Sequence, residues 1–345
     1  MKKVFLLGVI ALTVSGAALN AQQKFNVQNG TKTVFYDSLE IAIRQADSGD
    51  TIYLPGAVIP VKNDLIIDKK LAIIGAGCDV DSIGGLQTTE IKRPDGNYAN
   101  INFRNGSDGS LLTGCIVNSI TFGNMNQYNE PQQNIQNVTI LRNKIYGVVK
   151  LGISSTANLV KQIILSENII IMSITGMNAS NCIINNNLIG PSGYMIDGLI
   201  NSRISNNVIA TVSNLQGCNI ENNSFIDGTN DFGTNCTYNN NAFYHNLTFP
   251  IGSNTGSNNL MNQTVTQTFG IGSITYNSKN YIVRSDSPCK NAGTDGTDIG
   301  IFGGPNPYKA GAVPFNPHIN KSNISAQTDK NGNLKVNIKV SAQIR

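Results

Sequence analysis

Residues 182–189 read CIINNNLI. Three consecutive asparagines stand between isoleucines and a leucine, although Asn favours neither helix nor strand interiors. The arrangement recurs. VNSI (117–120), RNKI (142–145), ENII (167–170), NNLI (186–189), NNVI (206–209), NNSF (222–225) and NNAF (240–243) each carry an Asn two places before an Ile or Phe. The aligned asparagines are Asn118, Asn143, Asn168, Asn187, Asn207, Asn223 and Asn241, separated by steps of 25, 25, 19, 20, 16 and 18. A repeat near 20 residues with variable length is the signature of a solenoid.

The flanking columns describe one rung. Three places before the Asn stand Cys115, Ile140, Leu165, Ile184, Ile204, Ile220 and Tyr238. Five places before it stand Thr113, Val138, Ile163, Cys182, Ser202, Cys218 and Cys236. Two places before it stand mostly polar residues such as Ser166, Asn185, Ser205 and Glu221. This is the period-two alternation of a strand with one face inward. The inward face resumes two places after the Asn, beyond a corner. A strand, a corner and a second strand, repeated one rung up, predict a right-handed parallel β-helix with rungs about 4.8 Å apart. The corner Asn is expected to take the left-handed conformation a sharp turn needs. Its amide is expected to bond the equivalent amide one rung away. A leucine-rich repeat has a similar period but requires a leucine-dominated pattern, which is absent.

Around this solenoid the chain divides as follows. Residues 1–21 combine Lys2 and Lys3, the apolar run VFLLGVIALTV and small residues up to Ala21. That is a secretory signal peptide, with an apolar run too short to span a membrane. No later segment is apolar enough to cross one. The expected location is therefore the periplasm, the cell surface or the exterior. Residues 22–50 form an N-terminal cap, in which YDSLEIAIRQAD (36–47) reads as a short helix. Asp37 and Glu40 suggest a capping box, and Leu39, Ala42, Ile43 and Ala46 share one face. Residues 51–304 are assigned to the solenoid, in about ten to twelve rungs. Residues 305–345 form a Pro-rich connector and a C-terminal strand, where KVNIKVSAQI (335–344) alternates.

YDSLEIAIRQADSGDTIYLPG (36–56) resembles the opening of secreted pectate-lyase-like β-helix proteins, in which a short helix plugs the first rung. LAIIGAGCDVDS (71–82) and SDSPCKNAGTDGTDIGIFGG (285–304) are similar to segments of uncharacterised β-helix proteins exported by bacteria of the Bacteroides group. In those relatives the latter segment closes the last rungs. The resemblance implies the fold over most of the chain. It implies little about chemistry, since this fold hosts lyases, hydrolases, adhesins and structural proteins.

The composition narrows the chemistry. The 345 residues are 13% charged with a formal net charge of +4, reduced by two when Lys2 and Lys3 leave with the signal peptide. There is no basic patch, which points away from nucleic acid. Six cysteines without CxxC spacing, and only His245 and His318 beside them, argue against zinc. Trp is absent, which counts against a long aromatic-lined glycan cleft. Tyr128, Tyr146, Tyr194 and Tyr244 remain as possible platforms.

Glycoside hydrolysis needs paired carboxylates, and the chain contains no Asp-Asp pair. Pectate-lyase-like enzymes need calcium held by several acidic groups. Asp227 and Asp231 in IDGTNDFG are the candidate calcium ligands, and Asp295 and Asp298 in TDGTD offer a similar pair. The bland alternative for both is a solvated turn. Other β-helix lyases use a Lys–Arg pair. The candidates here are Arg142, Lys144, Lys161 and Arg203. Arg142 and Glu167 occupy one column on adjacent rungs, so a surface ion pair of small energetic weight is expected. Cys182, Cys218 and Cys236 share a column and are read as stacked core thiols, with a Cys218–Cys236 disulfide left open.

Two functions follow. The first is an exported β-helix protein, non-catalytic or of unknown activity, associated with glycans or other surface components, with no cofactor. The second is a polysaccharide lyase, or a glycoside hydrolase, acting on an acidic polysaccharide with calcium. Two or more of the four basic candidates converging beside a Tyr would favour the lyase. The sequence leaves the oligomeric state open.

Overall fold

In a computed structural model the described residues are 24–79, 87–123, 134–152, 159–176, 179–190, 195–228, 231–309, 312–313, 318–325 and 327–341. The expected signal peptide, Tyr128 and Tyr194 lie outside them. The protein is a right-handed parallel β-helix whose described strands stack into sheets of twelve, nine and seven. Consecutive rungs pair in parallel and in register, as Ile164, Ile183, Arg203, Asn219 and Thr237 do in the first sheet. The core is the continuous column of inward residues, including Ile140, Leu165, Ile184, Ile204, Ile220 and Tyr238, all at 0% exposure.

From Thr139–Leu141 to Thr237–Asn239 the strands of the first sheet are short because a left-handed residue bounds each on either side. Asn137, Gln162, Asn181, Asn201 and Asn235 precede the strands, and Arg142, Glu167, Asn186, Asn206, Asn222 and Asn240 follow them, all with φ between 47° and 59°. The left-handed residue is therefore the one before the aligned Asn, not the aligned Asn itself as its column suggested. The turn at Asn186 frees the next side chain, Asn187, to point into the corner. There Asn187 Nδ2 donates to Asn207 Oδ1 at 3.0 Å, and the same oxygen accepts the Asn187 backbone N–H at 2.8 Å. The pattern repeats through Asn143, Asn168, Asn187, Asn207, Asn223 and Asn241.

It continues to Asn259, which receives the Asn241 amide at 3.2 Å. Asn118 does not belong to this ladder. Cys115 pairs in line with Asn143 and donates its N–H to Asn143 Oδ1. Asn118 sits at the next corner and donates to Asn100 Oδ1 at 2.8 Å, while Asn100 in turn bonds Asp64. The motif VNSI thus aligned three residues out of register.

The first turn is closed by Phe25–Asn29, antiparallel to both Lys32–Tyr36 and Thr51–Tyr53, and by the helix Leu39–Gln45. Leu39, Ala42, Ile43 and Ala46 are buried, as their spacing predicts. The helix N-cap is Ser38, whose Oγ accepts the Ile41 N–H, rather than Asp37. Asp37 instead pairs with Lys24.

At the other end the stacked strands stop at Thr255–Ser257, with one further bridge at Leu260. The segment assigned to the last rungs, up to residue 304, instead lies along the outside of the second sheet. Ile169, Leu188, Val208 and Ala242 project outward from that sheet and pack against Phe269, Tyr281, Val283, Cys289, Ile299, Ile301 and Tyr308. Beyond it, His318–Ile324 and Val336–Ser341 form a two-stranded antiparallel hairpin that pairs with no other described strand.

The flanking segment is held by the left-handed column. Asn186 Nδ2 donates to the carbonyls of Ile301 and Gly303, Asn222 exchanges bonds with Thr294, and Asn240 donates to the Ala292 carbonyl. Lower down, Arg142 donates to the Val313 carbonyl at 2.7 Å and Glu167 accepts the Lys309 N–H at 3.1 Å. Residues 292–309, with 312 and 313 beyond them, therefore run back down the solenoid as a strap.

Candidate functional site

The four basic candidates part company. Arg142 is fully buried and makes a two-point ion pair with Glu167, with Nε to Oε2 at 2.9 Å and Nη2 to Oε1 at 3.3 Å. The expected surface pair is therefore an internal one under the strap, closed to any substrate. Lys161 is exposed at the end of Leu159–Lys161, a strand that pairs with Asn134–Gln136 outside the three large sheets. Arg203, also exposed, pairs with Glu221 on the next rung. It borders a shallow groove of about 380 Å³ between the first sheet and Pro305–Asn306. Only Lys144 lies beside a tyrosine in a groove.

The acidic candidates cap turns. Asp227 accepts the Gly228 N–H and Asp231 accepts the Gly233 N–H. Asp295 accepts from Thr297, and Asp298 pairs with Lys290. Among the described residues no group of three or more His, Cys, Asp or Glu side chains is placed to hold a metal ion.

The Lys144 groove is built on the outer face of the second sheet, where Ala312 of the strap packs against Ile116 and Cys78. Glu90, Ile116 and Lys144 occupy one outward column on successive rungs. A carboxylate and an ammonium therefore stand two rungs apart, about 10 Å, across an apolar residue. Along one side Tyr98 and Tyr146 stack with centroids 4.7 Å apart and planes 12° from parallel. Lys92 Nζ lies 4.9 Å from the Tyr98 ring centre, and Lys144 Nζ lies 5.2 Å from that of Tyr146. These are cation–π contacts. Thr275–Asn277 supply the other side, enclosing about 510 Å³ together with Cys78, Asp79 and Thr88.

Glu90 is the electrostatic centre. It pairs with Lys92 Nζ at 2.7 Å and accepts from Thr88 Oγ1 at 3.2 Å and Tyr98 Oη at 3.4 Å. Burial pushes its carboxyl up, but Lys92, Thr88 and Tyr98 together outweigh that and hold it below its ordinary value. Burial, with Tyr146 and Glu90 alongside, pushes the Tyr98 hydroxyl well up, so it keeps its proton and remains a donor. The groove thus offers fixed donors, an ionised acceptor, partly exposed aromatic edges and two ammonium groups. The Cys78 thiol in its lining is buried, and burial and Asp79 push it well up, so it keeps its proton.

No protein-family model matches this chain. No curated protein is similar to it either. The site must therefore be read from its own geometry.

Sequence reasoning found Lys144 and Tyr146 but missed Glu90, Lys92 and Tyr98. Those three come from the second-sheet strand Thr89–Lys92 and the loop after it. They lie below the first recognisable Asn repeat, so no column aligned them. The only signal was KRPDGNY (92–98), a turn bringing Lys92 back to Tyr98, which the structure forms as an antiparallel bridge.

Proposed function

We propose that this chain is an exported β-helix protein that binds a surface or extracellular glycan in the Glu90–Ile116–Lys144 groove without cleaving it. The observation that carries the reading is the stacked Tyr98–Tyr146 pair flanked by Lys92 and Lys144 beside an ionised Glu90. Sugars present hydroxyls that need both donors and acceptors, and apolar ring faces that rest on aromatic or aliphatic surface. This groove supplies both kinds of partner. Export is supported by the basic and apolar composition of residues 1–21. The likeness of residues 36–56 to secreted pectate-lyase-like proteins, and of 71–82 and 285–304 to exported β-helix proteins of the Bacteroides group, belongs to the same proposal.

The second reading is a polysaccharide lyase on an acidic glycan, favoured by Lys144 beside Tyr146. It is weakened because Arg142, Lys161 and Arg203 lie elsewhere. A glycan panel tested for binding and for absorbance at about 235 nm separates the two. Binding by the wild type, lost in Lys144→Ala and Tyr146→Ala, with no new absorbance supports the first reading. New absorbance that disappears in Lys144→Ala would replace it with the second. Equal binding by all three proteins would move the site away from this groove.

A further inference from the structure

One inward column carries chemistry that glycan binding does not use. Five places before the ladder stand Cys182, Ser202, Cys218, Cys236 and Asn254 on successive rungs. Three of them accept, through the side chain, a backbone N–H from the rung below. Ser202 Oγ accepts from Cys182, Cys236 Sγ accepts from Cys218 at 3.4 Å, and Asn254 Oδ1 accepts from Cys236 at 2.8 Å. The column is thus a second, mixed ladder. It places two thiols face to face on neighbouring rungs. The pairing of Asn219 with Thr237 sets Cys218 directly opposite Cys236.

We infer that Cys218 and Cys236 close as a disulfide when this protein folds in an oxidising medium. Directly opposed residues on adjacent rungs have Cα atoms about 4.8 Å apart, inside the range a disulfide spans. Cys182 lies two rungs from Cys218, with Ser202 between, so it stands about 10 Å away and cannot bridge. The two sulfurs are also placed alike: Cys218 Sγ donates to the Gln216 carbonyl and Cys236 Sγ to the Thr234 carbonyl.

The reaction is thiol–disulfide exchange with a small-molecule or protein disulfide as oxidant. One thiolate attacks the oxidant and releases one of its halves as a thiol. The second Cys thiolate then displaces the other half. The two cysteines lose two protons and two electrons, and the oxidant becomes two thiols. Both residues are buried at 2% and 1% exposure, so exchange must occur before the upper rungs close or while they open. The bond would staple the last rungs, near the packed rings of Phe232, Tyr238, Phe243 and Phe249.

The test is to fold the full chain with oxidised and reduced glutathione, block free thiols under denaturing conditions, and map the peptides by mass. The expected result is a single cross-link joining Cys218 to Cys236, with the remaining cysteines alkylated. Thermal unfolding should shift down by several degrees on reduction, and Cys236→Ser should abolish that shift while still folding. The inference is overturned if Cys218 and Cys236 are alkylated in full, or if the link found joins other cysteines. These outcomes are independent of whether the glycan groove binds.

Discussion

At the scale of single residues, the three asparagines of CIINNNLI do three different things. Asn185 faces outward beside the first-sheet groove. Asn186 takes the left-handed turn and holds the strap. Asn187 is fully buried in the ladder, where its Nδ2 also reaches the carbonyls of Leu165 and Asn185 at 2.8 and 2.9 Å. Asn187→Leu strips partners from buried groups on two rungs and should cost about 3 kcal/mol in chemical denaturation. A loss below about 0.5 kcal/mol would remove the ladder's energetic role. Period-two alternation and the recurring Asn made this ladder legible from sequence. The division between Asn186 and Asn187 was not legible, because left-handed backbone and corner stacking favour the same residue type. Glu90 gives a second residue-scale expectation. Its carboxyl is held below its ordinary value of 4.5, so its stabilising contribution is fully present above that pH and fades as pH falls further. Wild type should therefore lose more stability than Glu90→Gln on acidification below pH 4.5, and parallel acid titration curves would contradict this.

At the scale of elements, the strap is what the repeat pattern concealed. The second-sheet strands Ile169–Ile170, Leu188–Ile189 and Val208–Ile209 are buried on both faces. Paired apolar residues of that kind signal a covered sheet, as they do in parallel sheets layered on both sides. The sequence shows the pairs, but they are too short to reveal which segment covers them. The strap segment carries no repeat of its own, so its likeness to rung-closing segments led it to be placed in the stack. Arg142 and Glu167 fasten the lower part of this element. Arg142→Ala leaves the Glu167 carboxylate buried without its ionic partner and should cost about 3–5 kcal/mol. Replacing both residues by Met and Leu should cost clearly less, since no charge is then stranded. Equal losses in the single and double variants would mean that the pair does not act as one unit.

At the scale of the molecule, the solenoid, strap and groove form one arrangement. The ladder fixes the rungs, and the left-handed column beside it offers side-chain amides to the strap. The strap and the segment before it pack along the second sheet down to Ala312 on Ile116, and Thr275–Asn277 border the groove beside it. The fold class, the ladder from Asn143 to Asn241 and the helical plug were readable from periodicity and capping. The groove was readable only at Lys144 and Tyr146, since stacking brings in Glu90, Lys92 and Tyr98 from rungs that show no Asn repeat. The central claim is that adjacent polar residues of one rung serve separate tasks by position. Asn186→Gly tests it most directly, because Gly keeps the left-handed turn while deleting the amide that holds Ile301 and Gly303. Hydrogen exchange read by mass spectrometry should show faster exchange across 299–304 with protection of the rung strands at 183–189 and 203–209 unchanged. Faster exchange in those strands, or no change in the strap, would contradict the account.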